Sequence, residues 1–205
     1  GEIKITMNHI EKAFSVVLAG AEKKDRSYIT QEERRITAFH EAGHALITKL
    51  IVPMQRVVKV TIVPTVKGAG GFSMSIPKDS MYMTKRDFIS QIQIALAGRA
   101  AEEIIFGKDL ITTGASNDIE KATYYLKELI TRYGMDDTYG LINCEVICPG
   151  SSNQELLKVC KEKMDQIYEE TKLVLKEHEE KLMVLAEALL EHETLNEDKI
   201  IELIA

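Results

Sequence analysis

A single helical stretch constrains the fold of this chain more than any other feature of the sequence. From Gln31 to Ile51 the chain contains no proline and only one glycine, Gly43, and the stretch stops just before Pro53. Because proline cannot continue a helix and an isolated glycine only weakens one, this pattern predicts a helix of about five to six turns. The helix carries the residues on which the functional interpretation depends.

Two histidines on this helix are spaced to bind one metal ion. His40 and His44 are four residues apart, which separates them by about 40° around the helix axis and about 6 Å along it, so both imidazoles can reach the same ion. Glu41 follows the first histidine, and in an HExxH arrangement its carboxylate lies beside the open coordination position, where it can take a proton from water. The pattern is typical of zinc-dependent endopeptidases. Gly43 costs about 1 kcal/mol of helix stability relative to Ala, which predicts a close approach by the backbone of another element.

A catalytic zinc site needs a third protein ligand, which must come from another part of the chain. Three carboxylates are about equal candidates on physical grounds: Glu102, Glu103 and Asp118. Either glutamate could instead pair with Arg99 on the surface of its helix, and Asp118 could simply be favoured by the dipole at a helix start. The remaining histidines lie in strongly charged surroundings and are expected at the surface: His9, His178 and His192.

The rest of the chain predicts a mainly α domain with a small β-sheet or hairpin next to the helix that carries the run HEAGH at 40–44, the HEAGH helix. The segment 57–63 is β-branched and apolar, 67–71 is a glycine-rich turn, and Phe72, Met74 and Ile76 alternate with small residues, as in two short strands. Thr84 with Asp87 predicts a capped helix start. Three further helical patterns run from that start to Gly107, from Ile119 to Tyr133 with Gly134 as a stop, and along the charged stretch 154–191, before a short helix at 198–204.

Composition excludes several classes of protein. With 205 residues, 45% of them hydrophobic, the chain can bury a core as one compact domain. A net charge of −6 argues against a nucleic-acid partner, which would call for a basic surface. The absence of an apolar run of about 18 residues predicts that this piece of chain is soluble. Three cysteines without a Cys-x-x-Cys pair are expected to be reduced thiols: Cys144, Cys148 and Cys160.

Several motifs together resemble one known family. The runs ERRITAFHEAGHAL at 33–46, AGRAAEEIIFG at 97–107 and TTGASNDIEKAT at 112–123, followed by YGM at 133–135 and LMVLAEALLEHETL at 182–195, are similar to the peptidase domain of the FtsH family of membrane-anchored, ATP-dependent zinc metalloproteases. The motifs are collinear and cover nearly the whole chain. Their joint occurrence is far more specific than HExxH alone.

The resemblance implies a set of roles for individual residues. It implies one zinc per chain bound by His40, His44 and, as the third ligand, Asp118, with Glu41 as the general base. It also implies a zinc-dependent endopeptidase that hydrolyses peptide bonds of unfolded or membrane proteins with metal-activated water. An edge strand near the zinc would hold the extended substrate by strand addition; the matching substrate-binding residues are Gly70, Gly71, Phe72, Ser73 and Met74, in the segment 70–76.

The resemblance also predicts the larger protein around this chain. Residues 1–30, with a helical pattern from Thr6 to Gly20 and a charged linker, are expected to be the last helix of an ATPase module, and 31–205 the metallopeptidase domain. Because no G-x-x-x-x-G-K-[ST] run is present, ATP would be used by the full-length parent protein and not bound by this fragment. The parent is expected to be a homo-hexamer anchored in a bacterial inner membrane, a mitochondrial inner membrane or a plastid membrane.

Two other functions are weighed against this interpretation. The domain could be an oligomerisation or chaperone-like scaffold with a structural zinc or none, although a scaffold has no need of the Glu41 carboxylate. It could also be a non-proteolytic zinc hydrolase acting on small amides or lipids, against which the predicted peptide-binding strand argues weakly.

Overall fold

A computed structural model describes residues 4–6, 9–10, 13, 16–17, 20–77, 79–147 and 154–205. Most of the predicted helix between Thr6 and Gly20, and also Cys148, lie outside these residues. The described thiols Cys144 and Cys160 are free. In the described part of the chain, no helix is both long enough and apolar enough to cross a membrane.

The fold is mainly α with a small antiparallel sheet, as the sequence predicts. The helices are α1 (Gln31–Ile51), α2 (Lys85–Phe106), α3 (Ser116–Lys127), the four-residue α4 (Cys144–Ile147), α5 (Gln154–Glu177), α6 (Glu179–His192) and α7 (Glu197–Ile204); the strands are β1 (Arg56–Thr61), β2 (Phe72–Ile76) and β3 (Thr194–Asn196). Capping boxes start the two long helices at Thr30 and Thr84, where each threonine accepts a backbone N–H and the acidic residue three positions later bonds back.

Two predicted helices differ from the structure in their details. The charged stretch 154–191 is divided at His178, between α5 and α6. The pattern predicted for 119–133 begins as α3 and continues as a π-helical turn over Glu128–Arg132. Tyr133, the last apolar position of that pattern, follows the π turn and is 48% exposed. Ile119, the first apolar position of the pattern, lies in the first turn of α3 and is 40% exposed.

The sheet has the strand order β2-β1-β3, and both pairings are antiparallel. The predicted hairpin corresponds to β1 and β2, with Thr61 opposite Phe72 and a bulge between Val57 and Lys59. β3 comes from the far end of the chain and was not predicted. β2 is therefore an edge strand, and one of its sides has no partner among the described strands.

The long helix α1 lies at the centre of the domain and packs on α2, α6 and β1. The prediction of a close backbone approach at Gly43 is confirmed. A Cβ atom at Gly43 would lie 2.7 Å from the Ala97 carbonyl oxygen and 2.8 Å from the Ala101 Cβ. The two helices therefore come together at a point where only hydrogen fits, and the second helix is held directly over the HEAGH face of the first.

Candidate metal centre

The structure brings His40, His44 and Asp118 together. The Nε2 atoms of the two histidines are 3.1 Å apart, and the Asp118 Oδ2 atom lies 3.3 Å from each of them. Among the described residues, this is the one group of three or more potential metal ligands that converge on a point. His40 is 8% exposed, and Glu41, next to it, is 6% exposed.

The size of this triangle fits zinc. Zinc takes nitrogen and oxygen donors at about 2.0–2.2 Å in tetrahedral geometry, which places neighbouring donor atoms about 3.3–3.5 Å apart. The three measured separations are close to that range. Three donors leave the fourth tetrahedral position for water or substrate, as in catalytic zinc sites.

Each imidazole is oriented through its other nitrogen. The Nδ1 atom of His40 lies 2.6 Å from the Glu102 Oε1 atom, and the Nδ1 atom of His44 lies 2.7 Å from the carbonyl oxygen of Ile94. Because carbonyl and carboxylate oxygens only accept hydrogen bonds, both Nδ1 atoms must carry the proton. The Nε2 lone pairs are then directed at the centre of the triangle, which is the arrangement that metal-binding histidines use.

Asp118 reaches the site from the start of α3, and side chains of α2 hold the loop before it. The backbone N–H of Thr112 donates to the Glu102 Oε2 atom at 2.8 Å, and the Thr112 carbonyl accepts from the Arg99 guanidinium at 2.7 Å. The other Asp118 oxygen, Oδ1, accepts from Lys121 at 3.2 Å. Glu102 thus links His40 to the loop that leads to Asp118.

The three carboxylates that are equal candidates for the third ligand on sequence grounds have different positions in the structure. Asp118 faces both Nε2 atoms, whereas Glu102 contacts His40 on the Nδ1 side, outside the triangle. Glu103 is turned away and bonds to Tyr168 and Lys172. Arg99, the alternative partner expected for either glutamate, donates to the Thr112 backbone carbonyl instead. The other histidines are apart from the site: His9 and His192 are exposed, and His178 bonds to the Val174 carbonyl.

The electrostatics of the pocket favour a cation. Burial alone would raise the pKa of Asp118, but its hydrogen bonds with His40 and His44 outweigh burial and hold that pKa well below its usual range. Burial would lower the pKa of His40, yet Asp118 and Glu102 outweigh it and raise that pKa to about 10. Burial raises the pKa of Glu41, against the opposing effect of the two histidines. Metal binding requires a neutral imidazole, so a metal ion at the three donors would displace any proton from the His40 Nε2 atom.

A cavity of about 640 Å³ opens over the triangle, and β2 forms part of its wall. Of the residues predicted to bind substrate, Gly70, Gly71, Phe72 and Ser73 line this cavity together with Glu41. Met74 belongs to β2, opposite Lys59, but is not among the lining residues.

The roles of Glu102 and Ile94 in orienting the histidines were missed by sequence reasoning, which considered Glu102 only as a ligand. Ile94 and Glu102 are eight residues apart on α2, so they lie on one helix face, two turns from each other. That spacing could have indicated a shared neighbour, but it does not identify the neighbour as the HEAGH helix.

The chain is similar to one family of peptidases over most of its length. The model of Peptidase family M41 matches residues 27–203. ATP-dependent zinc metalloprotease FtsH 1 from Alkaliphilus metalliredigens is 51% identical over 201 residues, which cover 97% of this chain and 34% of that protein. The ATP-dependent zinc metalloprotease FtsH from Lachnoclostridium phytofermentans is 48% identical, over 96% of this chain and 34% of its own length. The mitochondrial ATP-dependent zinc metalloprotease FTSH 3 from Oryza sativa subsp. japonica is 36% identical over 98% of this chain and 26% of its own length.

This chain spans about a third of the length of its first two curated relatives. The family model covers the helix that carries the two histidines, the helix that carries Asp118 and the C-terminal strand. On this match and these identities, the chain belongs to peptidase family M41.

Proposed function

We propose that this chain is the proteolytic domain of an ATP-dependent membrane protease, and that it acts as a zinc-dependent endopeptidase. The observation that carries the proposal is the triangle of His40, His44 and Asp118 donor atoms, with the buried Glu41 carboxylate beside it in a cavity bordered by an edge strand. This combination supports peptide hydrolysis better than a structural zinc site, because a structural site uses four protein ligands and no adjacent base.

Each residue has a distinct role in the proposed reaction. His40, His44 and Asp118 hold the zinc, which when bound polarises the substrate carbonyl and lowers the pKa of water. A Glu41 carboxylate oxygen takes the proton from the attacking water and delivers it to the nitrogen of the leaving amine. Burial favours this exchange, because it raises the pKa of Glu41 and so makes the carboxylate a better proton acceptor.

The substrate in this proposal is an extended peptide that pairs with β2. The free side of this edge strand offers backbone N–H and C=O groups, and the residues before and within it line the cavity. Backbone pairing tolerates many side chains, which suits the degradation of unfolded or membrane proteins. A small-amide or lipid hydrolase would have no use for such an edge.

The parent protein would supply the remaining functions. We propose that ATP is used by parts of the parent outside this chain, that the parent is an anchored homo-hexamer, and that residues 1–30 end its ATPase module. Two findings support this division: the family model begins at residue 27, and the relatives named ATP-dependent zinc metalloproteases are about three times as long as this chain. The rice relative is named as mitochondrial, which supports the mitochondrion as one location of the parent.

The test replaces Glu41 by Gln, which keeps the size of the side chain and removes the base. We expect one zinc per chain by elemental analysis in both proteins, and a loss of unfolded-casein cleavage of about 10²–10⁴-fold in the variant. Glu120→Gln is the matched control, because Glu120 is an exposed glutamate on the helix that carries Asp118. The comparison is made in this chain and in the full-length parent.

Cleavage by the Glu41→Gln variant at the wild-type rate would rule out Glu41 as the base. Full zinc occupancy with no cleavage by the wild-type parent would instead favour the scaffold.

A further inference from the structure

The centre of α2 contains a glycine that lies directly against both histidine rings. A Cβ atom at Gly98 would be 2.5 Å from the Cε1 and Nε2 atoms of His40 and 2.6 Å from the Nε2 atom of His44. Outside their own residue, its chain neighbours and the nearby backbone of their own helix, real Cβ atoms essentially never come within 3.0 Å of a heavy atom. The rings therefore occupy space that any other residue at position 98 would fill.

Gly98 is the middle member of a row on α2. Ile94, Gly98 and Glu102 follow each other at four-residue spacing, so they lie on one face of the helix. The Ile94 carbonyl accepts from His44 and the Glu102 carboxylate accepts from His40. The two outer members thus fix the Nδ1 sides of the rings, and the middle one leaves room for the Nε2 sides.

A glycine in the middle of a helix lowers helix stability, so its presence at position 98 calls for a structural explanation. Gly98 is buried in the interior of α2, where alanine would form a better helix. Its φ lies outside the left-handed region that only glycine favours, so the backbone conformation does not require it. The space that the two imidazole rings occupy is what requires a glycine at position 98.

Gly43 lies in the same contact between α1 and α2, but the atoms that would obstruct its side chain are of a different kind. At Gly43 the nearest obstacle to a Cβ atom is the backbone carbonyl of Ala97, whereas at Gly98 the three nearest obstacles all belong to side-chain rings. A backbone obstacle can yield only if the helices move apart, which costs packing throughout the interface. A ring obstacle can rotate away while the helices stay in place.

We propose that Gly98 is a positioning residue for zinc, whose missing side chain lets both imidazoles direct their Nε2 atoms at one point. The inference rests on the proposed function, in which His40 and His44 are zinc ligands. It assigns to Gly98 a role in metal affinity that is separate from the packing role of Gly43.

The experiment compares wild type, Gly98→Ala and Gly43→Ala in the 205-residue chain after removal of metal with a chelator. Zinc affinity is measured by competition with a chromophoric chelator, site geometry by the visible spectrum of bound Co²⁺, and stability by the thermal midpoint of the metal-free protein. For Gly98→Ala we expect a zinc Kd raised by at least about tenfold, an altered Co²⁺ spectrum and a nearly unchanged metal-free midpoint. For Gly43→Ala we expect the metal-free midpoint to fall.

A double-mutant cycle covers the case in which Gly98→Ala is itself destabilising. Gly98→Ala is introduced into a His40→Ala/His44→Ala background, where the ring atoms are gone, and the change in thermal midpoint is compared with that in wild type. If the rings are the obstacle, the substitution becomes neutral or stabilising in that background. Equal destabilisation in both backgrounds would assign Gly98 to helix packing and overturn the proposal.

The two proposals fail in different ways. A wild-type chain that binds no zinc would overturn the proposed function and with it the role of Gly98. A wild-type chain that binds zinc, with a Gly98→Ala variant of the same Kd and Co²⁺ spectrum, would overturn the role of Gly98 alone.

Discussion

At the residue scale, two adjacent glutamates of α2 have separate tasks. Glu102 accepts from the His40 ring with one oxygen and from the Thr112 backbone N–H with the other. Glu103, one position on, accepts from the Tyr168 hydroxyl and pairs with Lys172 on α5. Because successive residues of a helix point about 100° apart, one glutamate serves the site and the other the contact between two helices.

Replacing Glu102 by Gln is expected to weaken zinc binding about 10–100-fold. The carboxylate accepts two hydrogen bonds, whereas an amide oriented to accept one of them turns its NH₂ group toward the other donor. Isothermal titration or chelator competition measures the effect.

The matched control is Glu103→Gln. This change should leave zinc affinity unaltered and lower the free energy of unfolding by about 1–3 kcal/mol, because it weakens the pairing with Lys172. Equal zinc affinity in the two variants would contradict the division of roles.

At the element scale, the join between the glycine-rich turn and β2 brings the sheet against α1. A Cβ atom at Gly71 would lie 2.6 Å from the Thr61 carbonyl oxygen, 2.9 Å from the Thr37 side chain and 3.0 Å from the Glu41 Cγ atom. At Gly70 the nearest atom would be 3.7 Å away, which is ordinary contact. The edge strand thus starts at a point where the sheet, the helix and the proposed base are all in contact.

Gly71→Ala is expected to destabilise the domain by about 1–3 kcal/mol and to reduce peptide cleavage more than zinc binding, because the added methyl group displaces β2 and the Glu41 side chain. Urea unfolding, casein cleavage and zinc titration measure the three effects. Gly70→Ala, at the neighbouring position, should stay close to wild type in stability. If both variants behave alike, the close approach at Gly71 has no consequence.

At the scale of the whole molecule, the end of the chain closes the domain. β3 pairs with β1, so the sheet joins residues more than 130 positions apart, and Leu195 and Ile200 enter the core formed with α1. Glu193, just before β3, pairs with Arg26 and Arg34 near the other end of the described chain. The helix that carries both histidines is therefore supported by the C-terminal segment as well as by α2.

Leu195→Ala is expected to lower the free energy of unfolding by about 2–5 kcal/mol, because Leu195 is 2% exposed and its truncation leaves a cavity between the sheet and the helices. Leu141→Ala is the control: Leu141 is 98% exposed, so its loss should change stability by less than about 0.5 kcal/mol. Chemical denaturation of both variants measures the difference. A small effect at Leu195 would mean that the C-terminal segment contributes little to the core.

The sequence by itself determined the features whose causes lie within a few residues. Local propensity, capping and periodicity account for the length and start of α1, the capping box at Thr84 and the hairpin of β1 and β2. The four-residue spacing of His40 and His44 places both side chains on one face of α1. The close backbone approach predicted at Gly43 was also confirmed, because a glycine inside a helix indicates close packing without identifying the neighbouring element.

The tertiary structure decided what depends on residues distant in the chain. Asp118 lies 78 positions after His40, and physical reasoning on the sequence left it equal to Glu102 and Glu103 until family resemblance favoured it. The oriented Nδ1 atoms, the space at Gly98, the edge position of β2 and the pairing of β3 depend on how helices and strands pack together. Such contacts form only when the whole core packs, so they cannot be predicted from any short segment of the sequence.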